Sequence, residues 1–443
     1  MPPERWTRAA PPRRILVVKL SSFGDIVLAT TALRAMRRAF PETDLRLAVE
    51  RRWVPVATAC PDVDGVFESP ARSGSPIREA CAIHRQLAVD RRANGPFDLA
   101  LDLQGLRRSC GWVYLSGARM KAGHGHTRPG WAFSVPPDRT RHAVRVIAST
   151  CERLGVAAAD LSPSLRTSAA DETRLDAILD HERLPRRDFV LLNPISRWAS
   201  KSWPVAKAAS LASRIATHTG ERMIVTGGPE EAGLAASIVR IAPEHAVSLA
   251  GRLSLGEALC LFGRARLMVS CDSGPMHAAA ALGTPVVALF GPTLPEHTGP
   301  WGDGHRVVQA MKPPDHHAYR RADGAGYMDA IGVDPVAQAV LERERLRRRF
   351  GVREVGERHD YERRVRCHTF GGLEDVFGLH AATSSAARST ACRSRRRRCA
   401  QCACRHRKAP CQPFCSDGNR STVALLPGSS AVVCVRFQGH TIA

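Results

Sequence analysis

The chain has 443 residues, 44% of them hydrophobic, with 64 Lys+Arg against 42 Asp+Glu and a formal net charge of +22. That length is too great for one ordinary core and points to two domains plus additional material. No run approaches the 18 or so uninterrupted apolar residues of a spanning helix, and the apolar run Ile15 to Val18 is too short for a signal-peptide core. A soluble, cytoplasmic protein is therefore expected.

In chain order, Arg14 to Leu20 is apolar almost throughout and reads as a strand buried on both faces of a parallel sheet. Ser21-Ser22-Phe23-Gly24-Asp25 follows as a turn, then a helix from about Ile26 to Phe40, stopped by Pro41. Strands are expected at 45–49 and 99–103, and helices over 142–154 and near 171–180. After this connecting region the alternation starts again. Strands fall at 189–192, 222–225, 267–270 and 285–290. Helices follow Pro204 and Gly227-Gly228-Pro229, run over 255–263, start near Pro275 and cover about 336–348. Two successive doubly wound α/β domains account for this rhythm, and such sheets bind ligands at the carboxyl ends of their strands.

Four loops after strands carry the polar residues. In the first, Gly24 allows a tight turn and Asp25 is either a helix cap or a general base. The second, Asp102 to Ser109, holds Gln104 and two arginines, Arg107 and Arg108, suited to an anionic acceptor or to a solvated turn. In the third, Asn193 to Pro204, Ser196 and other small polar residues precede Lys201 and then Trp203-Pro204, a reasonable diphosphate cradle without the glycine spacing of a Walker loop. The fourth, Asp272-Ser273-Gly274-Pro275-Met276-His277, opens a helix whose first amides and dipole attract anions.

Together these loops resemble glycosyltransferase family 9, the ADP-heptose:lipopolysaccharide heptosyltransferases. The resemblance spans about 14–340 and rests on KLSSFGD at 19–25, DLQGL at 102–106, SKSWP at 200–204, GGPEE at 227–231 and DSGPMHAAAALGTPVVALFGPT at 272–293. It implies a GT-B architecture: two Rossmann-like domains, over 14–165 and 185–348, facing across a cleft. The first would bind the acceptor and the second the nucleotide sugar. It further implies inversion at the anomeric carbon, no cofactor and no catalytic metal. Asp25 matches the family's base and Lys201 its diphosphate lysine. Asp272, Ser273, Gly274 and His277 match its donor loop, with Ser196, Glu231 and Leu253 as further donor-side positions. Gln104, Arg108 and Arg128 fall on the acceptor side.

The implied partners are a nucleotide sugar, ADP-heptose in this family, and an anionic glycolipid, with peripheral contact at the inner face of the cytoplasmic membrane and no nucleic acid. A Rossmann oxidoreductase is disfavoured because no GxGxxG follows the first strand. A nucleotide-sugar-binding protein without catalysis, or a family member with another donor and glycan, stays open.

Residues 351–443 have no counterpart in the family. They carry 16 Lys+Arg against 7 Asp+Glu and eight of the 14 cysteines. No apolar period is sustained there, so a disordered basic tail is expected. Its irregular Cys399, Cys402, Cys404, Cys411 and Cys415 cluster is a weaker zinc candidate. The six earlier cysteines read as small apolar core residues.

Overall fold

The computed structural model describes residues 11–350 apart from 126, 127, 136, 137, 139, 158, 159, 316, 317 and 322–324, together with 422–424 and 433–435. The first set of strands is β1 (Arg14–Val18), β2 (Asp44–Glu50), β3 (Gly65–Ser69), β4 (Leu99–Asp102), β5 (Met120–His124) and β6 (Phe133–Val135). The intervening helices are α1 (Phe23–Ala39), α2 (Val54–Thr58), α3 (Pro76–Asn94), α4 (Arg107–Leu115) and α5 (Ala143–Arg153), followed by α6 (Ala169–His181). The second set is β7 (Val190–Asn193), β8 (Met223–Val225), β9 (Ala246–Ser248), β10 (Leu267–Cys271), β11 (Val286–Leu289) and β12 (Arg306–Val308). Its helices are α7 (Val205–Thr219), α8 (Ala232–Ile241), α9 (Leu255–Arg264), α10 (Gly274–Ala281), α11 (Pro295–Thr298), α12 (Ala325–Asp329) and α13 (Val333–Phe350).

The sheet orders are β3-β2-β1-β4-β5-β6 and β12-β11-β10-β7-β8-β9, with every pairing parallel. Both are the doubly wound order, read in opposite directions. The order reverses between β1 and β4 in one sheet and between β7 and β10 in the other, and crevices open at these points. The four polar loops of the sequence follow these four strands.

The apolar runs are buried as a parallel sheet requires: all five residues of β1, all four of β4 and all five of β10 are inaccessible to solvent. On one face of the first sheet, Leu16, Val18 and Ala100 pack against Ile83 and Leu87 of α3 and Trp112 of α4. On the other, Ile15 and Val17 join a core that runs through α1 to Met276 of α10 and Leu175 of α6. α13 packs back onto the second sheet, where Val336, Ala337 and Val340 meet Val287 and Leu289. Buried Arg266 pairs there with buried Glu344 at 3.0 Å.

Two expectations need comment. Cys81 is exposed on α3, unlike the buried Cys60, Cys110, Cys151, Cys260 and Cys271, so it is not a core residue. The disorder and zinc readings of the tail lie almost wholly outside the described residues; within it, Thr422–Ala424 pairs antiparallel with Val433–Val435.

Candidate active site

A cleft of about 880 Å³ collects the switch-point loops of both sheets. From the first sheet come Ser21 to Asp25 and Gln104; from the second come Ser196, Lys201, Glu231, Leu253 and the Asp272–Pro275 turn with His277. Ten of the twelve residues proposed from the sequence thus line one cavity.

Its floor is made where α1 and α10 begin. Gly24 and Gly274 are required by contact: a Cβ on Gly24 would lie 2.6 Å from the His277 ring, and one on Gly274 would lie 2.5 Å from the Phe23 ring. Each helix start therefore inserts a ring where the other has no side chain. Two N-terminal dipole ends converge on one space.

Asp25 does cap its helix. Its Oδ2 accepts from the Ser22 backbone N–H at 3.1 Å and from Ser22 Oγ at 2.7 Å. This leaves Oδ1, which lies 3.6 Å from Lys19 Nζ. The side chain sits deep in the molecule yet is half open to the cleft. Burial opposes its ionisation, but Lys19 and the two Ser22 hydrogen bonds outweigh that and hold its pKa below the usual carboxylate value. The cap and base readings of Asp25 are thus compatible, since they use different oxygens.

The second switch-point loop works mainly on the first. Buried Asp102 accepts from the backbone N–H groups of Gln104 (2.8 Å) and Gly105 (2.9 Å) and from Ser109 Oγ (2.9 Å), which folds the turn. Gln104 Oε1 then accepts from the Ser21 backbone N–H at 3.1 Å, fixing the loop that carries Asp25. Burial raises the pKa of Asp102 despite these donors.

Opposite Asp25, Lys201 Nζ donates to Asp272 Oδ2 at 2.7 Å and lies 4.6 Å from the centre of the Tyr319 ring. Burial opposes the ionisation of Asp272, but Lys201 more than compensates and lowers its pKa. Asn193 Nδ2 donates to Ser273 Oγ and to Ser270 Oγ, both at 3.2 Å, holding the turn before α10. His277 is buried, and burial pulls its pKa down to about 4 although Asp272 and Asp25 favour its charged form. It is neutral at pH 7, and its buried Nδ1 has no hydrogen-bond partner among the described residues.

Two acceptor-side candidates do not line the cavity. The Arg108 guanidinium is committed within the protein, to Glu79 at 3.1 Å, Glu50 at 3.0 Å and the Pro70 carbonyl. Arg128 donates to the Gly105 carbonyl at 3.3 Å and lies over Trp131. Sequence reasoning also passed over residues that shape the site. Lys19 had a visible signal, a cation at the end of an otherwise apolar strand. Trp53, stacked on Phe23 at 5.7 Å, and Tyr319, edge-on to Trp198 at 5.1 Å, had none, because distant chain segments bring them in.

An ionised carboxylate thus lines the same cleft as a cation and two helix N-termini. Such a site can take a proton at one wall and stabilise a departing anion at the other. The family model for glycosyltransferase family 9 (heptosyltransferase) matches residues 87–324, more than half the chain. The chain belongs to glycosyltransferase family 9.

It is similar to the lipopolysaccharide core heptosyltransferase OpsX of Haemophilus influenzae, 24% identical over 73% of this chain and 95% of that one. It is likewise similar to lipopolysaccharide heptosyltransferase 3 of Escherichia coli K12, 26% identical over 71% and 94%. Among solved structures, a family 9 glycosyl transferase from Veillonella parvula shares the fold with a TM-score of 0.68 and 23% identity, over 75% of this chain and 97% of that one. The E. coli ADP-heptose lipopolysaccharide heptosyltransferase II does so with a TM-score of 0.58 and 21% identity, over 75% and 99%. The protein is a glycosyltransferase of GT-B architecture. Among the described residues no helix is long and apolar enough to cross a membrane.

Proposed function

We propose that this family 9 glycosyltransferase moves a heptose from ADP-heptose to a sugar hydroxyl of a lipopolysaccharide core acceptor, with inversion at the anomeric carbon. The observation that carries the reading is that Asp25, the Lys201–Asp272 pair and the start of α10 line one cleft. The heptose and its nucleotide are suggested by the relatives, which are named as heptosyltransferases and, in one solved structure, as an ADP-heptose enzyme.

In the proposed reaction Asp25 takes the proton of the acceptor hydroxyl as its oxygen attacks the anomeric carbon. The bond from that carbon to the diphosphate breaks on the opposite face, and ADP leaves. Direct displacement of this kind inverts the centre. The low pKa of Asp25 keeps it ionised at neutral pH; a bound diphosphate would raise its proton affinity toward what a base needs. Lys201 and the backbone N–H groups of Ser273 and Gly274 stabilise the charge growing on the leaving group. Neutral His277 supplies a further hydrogen bond without adding a competing cation. Asp272 orients Lys201, while Glu231 and Leu253, on neighbouring loops, take the nucleoside. Gln104 keeps the Asp25 loop in place beside the acceptor, and peripheral contact with a membrane brings a lipid-anchored acceptor within reach.

The test is ADP release with purified enzyme, ADP-heptose and heptose-deficient lipopolysaccharide core, run beside UDP- and GDP-sugars. The expected outcome is acceptor-dependent ADP formation and a product of inverted anomeric configuration. Turnover only with another nucleotide sugar would overturn the donor assignment. Binding of ADP-heptose without turnover on any core acceptor would favour a non-catalytic binding protein.

A further inference from the structure

The outer face of α3 does not line the cleft and carries a charge pattern the transfer reaction does not use. Arg78, Arg85 and Arg92 are spaced by seven residues, which is close to two helical turns, so they form one stripe along the helix. All three are exposed, and none has an ion-pair partner among the described residues.

The acids of α3 do not balance the stripe. Glu79 turns to Arg108 at 3.1 Å, and Asp90 turns to Arg14 at 2.8 Å and to Asn94. Ile83 and Leu87 hold the opposite side of the helix in the core. Flanking the stripe are Ile77 and Val89, with 76% and 67% of their surface exposed, the two most exposed large apolar side chains described. The outer face is therefore cationic along its centre and apolar at its flanks.

We infer that this face of α3 is a docking surface for an anionic lipid bilayer. The arginines would lie among acidic headgroups while Ile77 and Val89 enter the interface, the division of labour of a surface-bound amphipathic helix. The apolar flanks favour a bilayer over a nucleic acid, which would leave Ile77 and Val89 without a partner. The inference deepens the proposed function, because it rests on an acceptor anchored in a membrane, and it assigns the contact to particular residues.

The experiment is vesicle co-sedimentation of the full chain, because its basic C-terminal segment contributes charge of its own. Vesicles of phosphatidylglycerol and phosphatidylethanolamine are compared with vesicles of phosphatidylcholine alone. Wild type is expected to bind the anionic vesicles and to release them at high salt. Replacing three arginines, each adding about 1 kcal/mol at an anionic surface, should weaken partitioning on the order of 100-fold in R78A/R85A/R92A. Ile77→Asp with Val89→Asp should weaken it while leaving the arginines in place. Circular dichroism and ADP release with a detergent-dispersed acceptor, unchanged in both variants, would exclude misfolding. Equal vesicle binding by wild type and R78A/R85A/R92A would overturn the inference, as would failure of wild type to bind anionic vesicles. So would loss of binding to DNA but not to vesicles in the triple variant. Vesicle binding does not depend on the sugar donor, so a failed donor assignment and a failed docking surface give separate results.

Discussion

The starts of α1 and α10 are the same local structure, and only the first is loaded with a net side-chain charge. Each follows a central strand at the point where its sheet order reverses, each has serine at the N-cap, and each needs glycine so that the other can approach. At α1 the third helical residue is Asp25, ionised and half open to the cleft. At α10 the fourth is His277, buried and neutral, beside a lysine–aspartate pair. The backbone supplies two anion-attracting ends. Side chains then cancel that attraction at one end and leave it standing at the other, so one wall suits a proton acceptor and the other a leaving diphosphate.

Removing the charge from the α1 side should have the largest effect. In Asp25→Asn the side-chain oxygen can still accept from Ser22, so the helix cap persists and stability should change by less than about 1 kcal/mol. The base is lost, and kcat/KM should fall about 10³-fold. Nucleotide-sugar affinity, measured by calorimetry, should not weaken, because the donor-side groups are untouched and a carboxylate that repels the diphosphate is gone. Turnover close to wild type would remove Asp25 from the mechanism and reduce it to a cap.

The α10 side should respond differently, in stability as well as rate. Lys201→Met strips the partner from Asp272, whose side chain is only 8% exposed. Breaking such a pair leaves an uncompensated buried charge, and a loss of about 3 kcal/mol is expected in denaturant unfolding. Transfer should fall about 10²-fold through the missing stabilisation of the leaving group. Adding Asp272→Asn should restore most of the stability and none of the rate. Recovery of both would mean that Lys201 serves only to neutralise Asp272, and the two walls would no longer be functionally distinct.

How much of this was legible beforehand follows from burial and from chain distance. The central strands β1, β4, β7 and β10 were readable because they are buried on both faces and so nearly uniformly apolar. Their positions located all four loops. The edge strands β3 and β12 are partly exposed and lack that signature, and α3 buries only Ile83 and Leu87 clearly, so its period is weak. In the site, Asp25, Lys201 and His277 could be named because each sits in, or in the first helical turn after, the loop that follows a central strand. Arg108 has the same sequence context, yet Glu50 and Glu79, 58 and 29 residues away, claim its guanidinium. Composition at 107–108 holds no trace of those partners. Tyr319 reaches Lys201 across more than a hundred residues, and nothing local marks it.

The smallest expected effect concerns the neutrality of His277, and it shows in stability rather than rate. Its pKa falls from about 6.5 in the unfolded chain to about 4 in the folded protein. As pH drops through this window the unfolded chain takes the proton first. The group's contribution is therefore complete above about pH 6.5 and is lost progressively toward pH 4, by about 3 kcal/mol at most. His124 and His305 are also pulled down to about 4 by burial and add slopes of the same sign, so wild type alone cannot isolate the residue. His277→Gln keeps the other two and removes this one. Denaturant unfolding of both proteins at pH 7, 5.5 and 4 should show the variant losing less stability on acidification, with the gap between the curves shifting by about 3 kcal/mol. Parallel curves would mean that burial does not depress the His277 pKa, so that below about pH 6.5 that wall would hold a second cation beside Lys201. The contrast with Asp25 would then be one of two opposed charges rather than a charge facing a neutral donor.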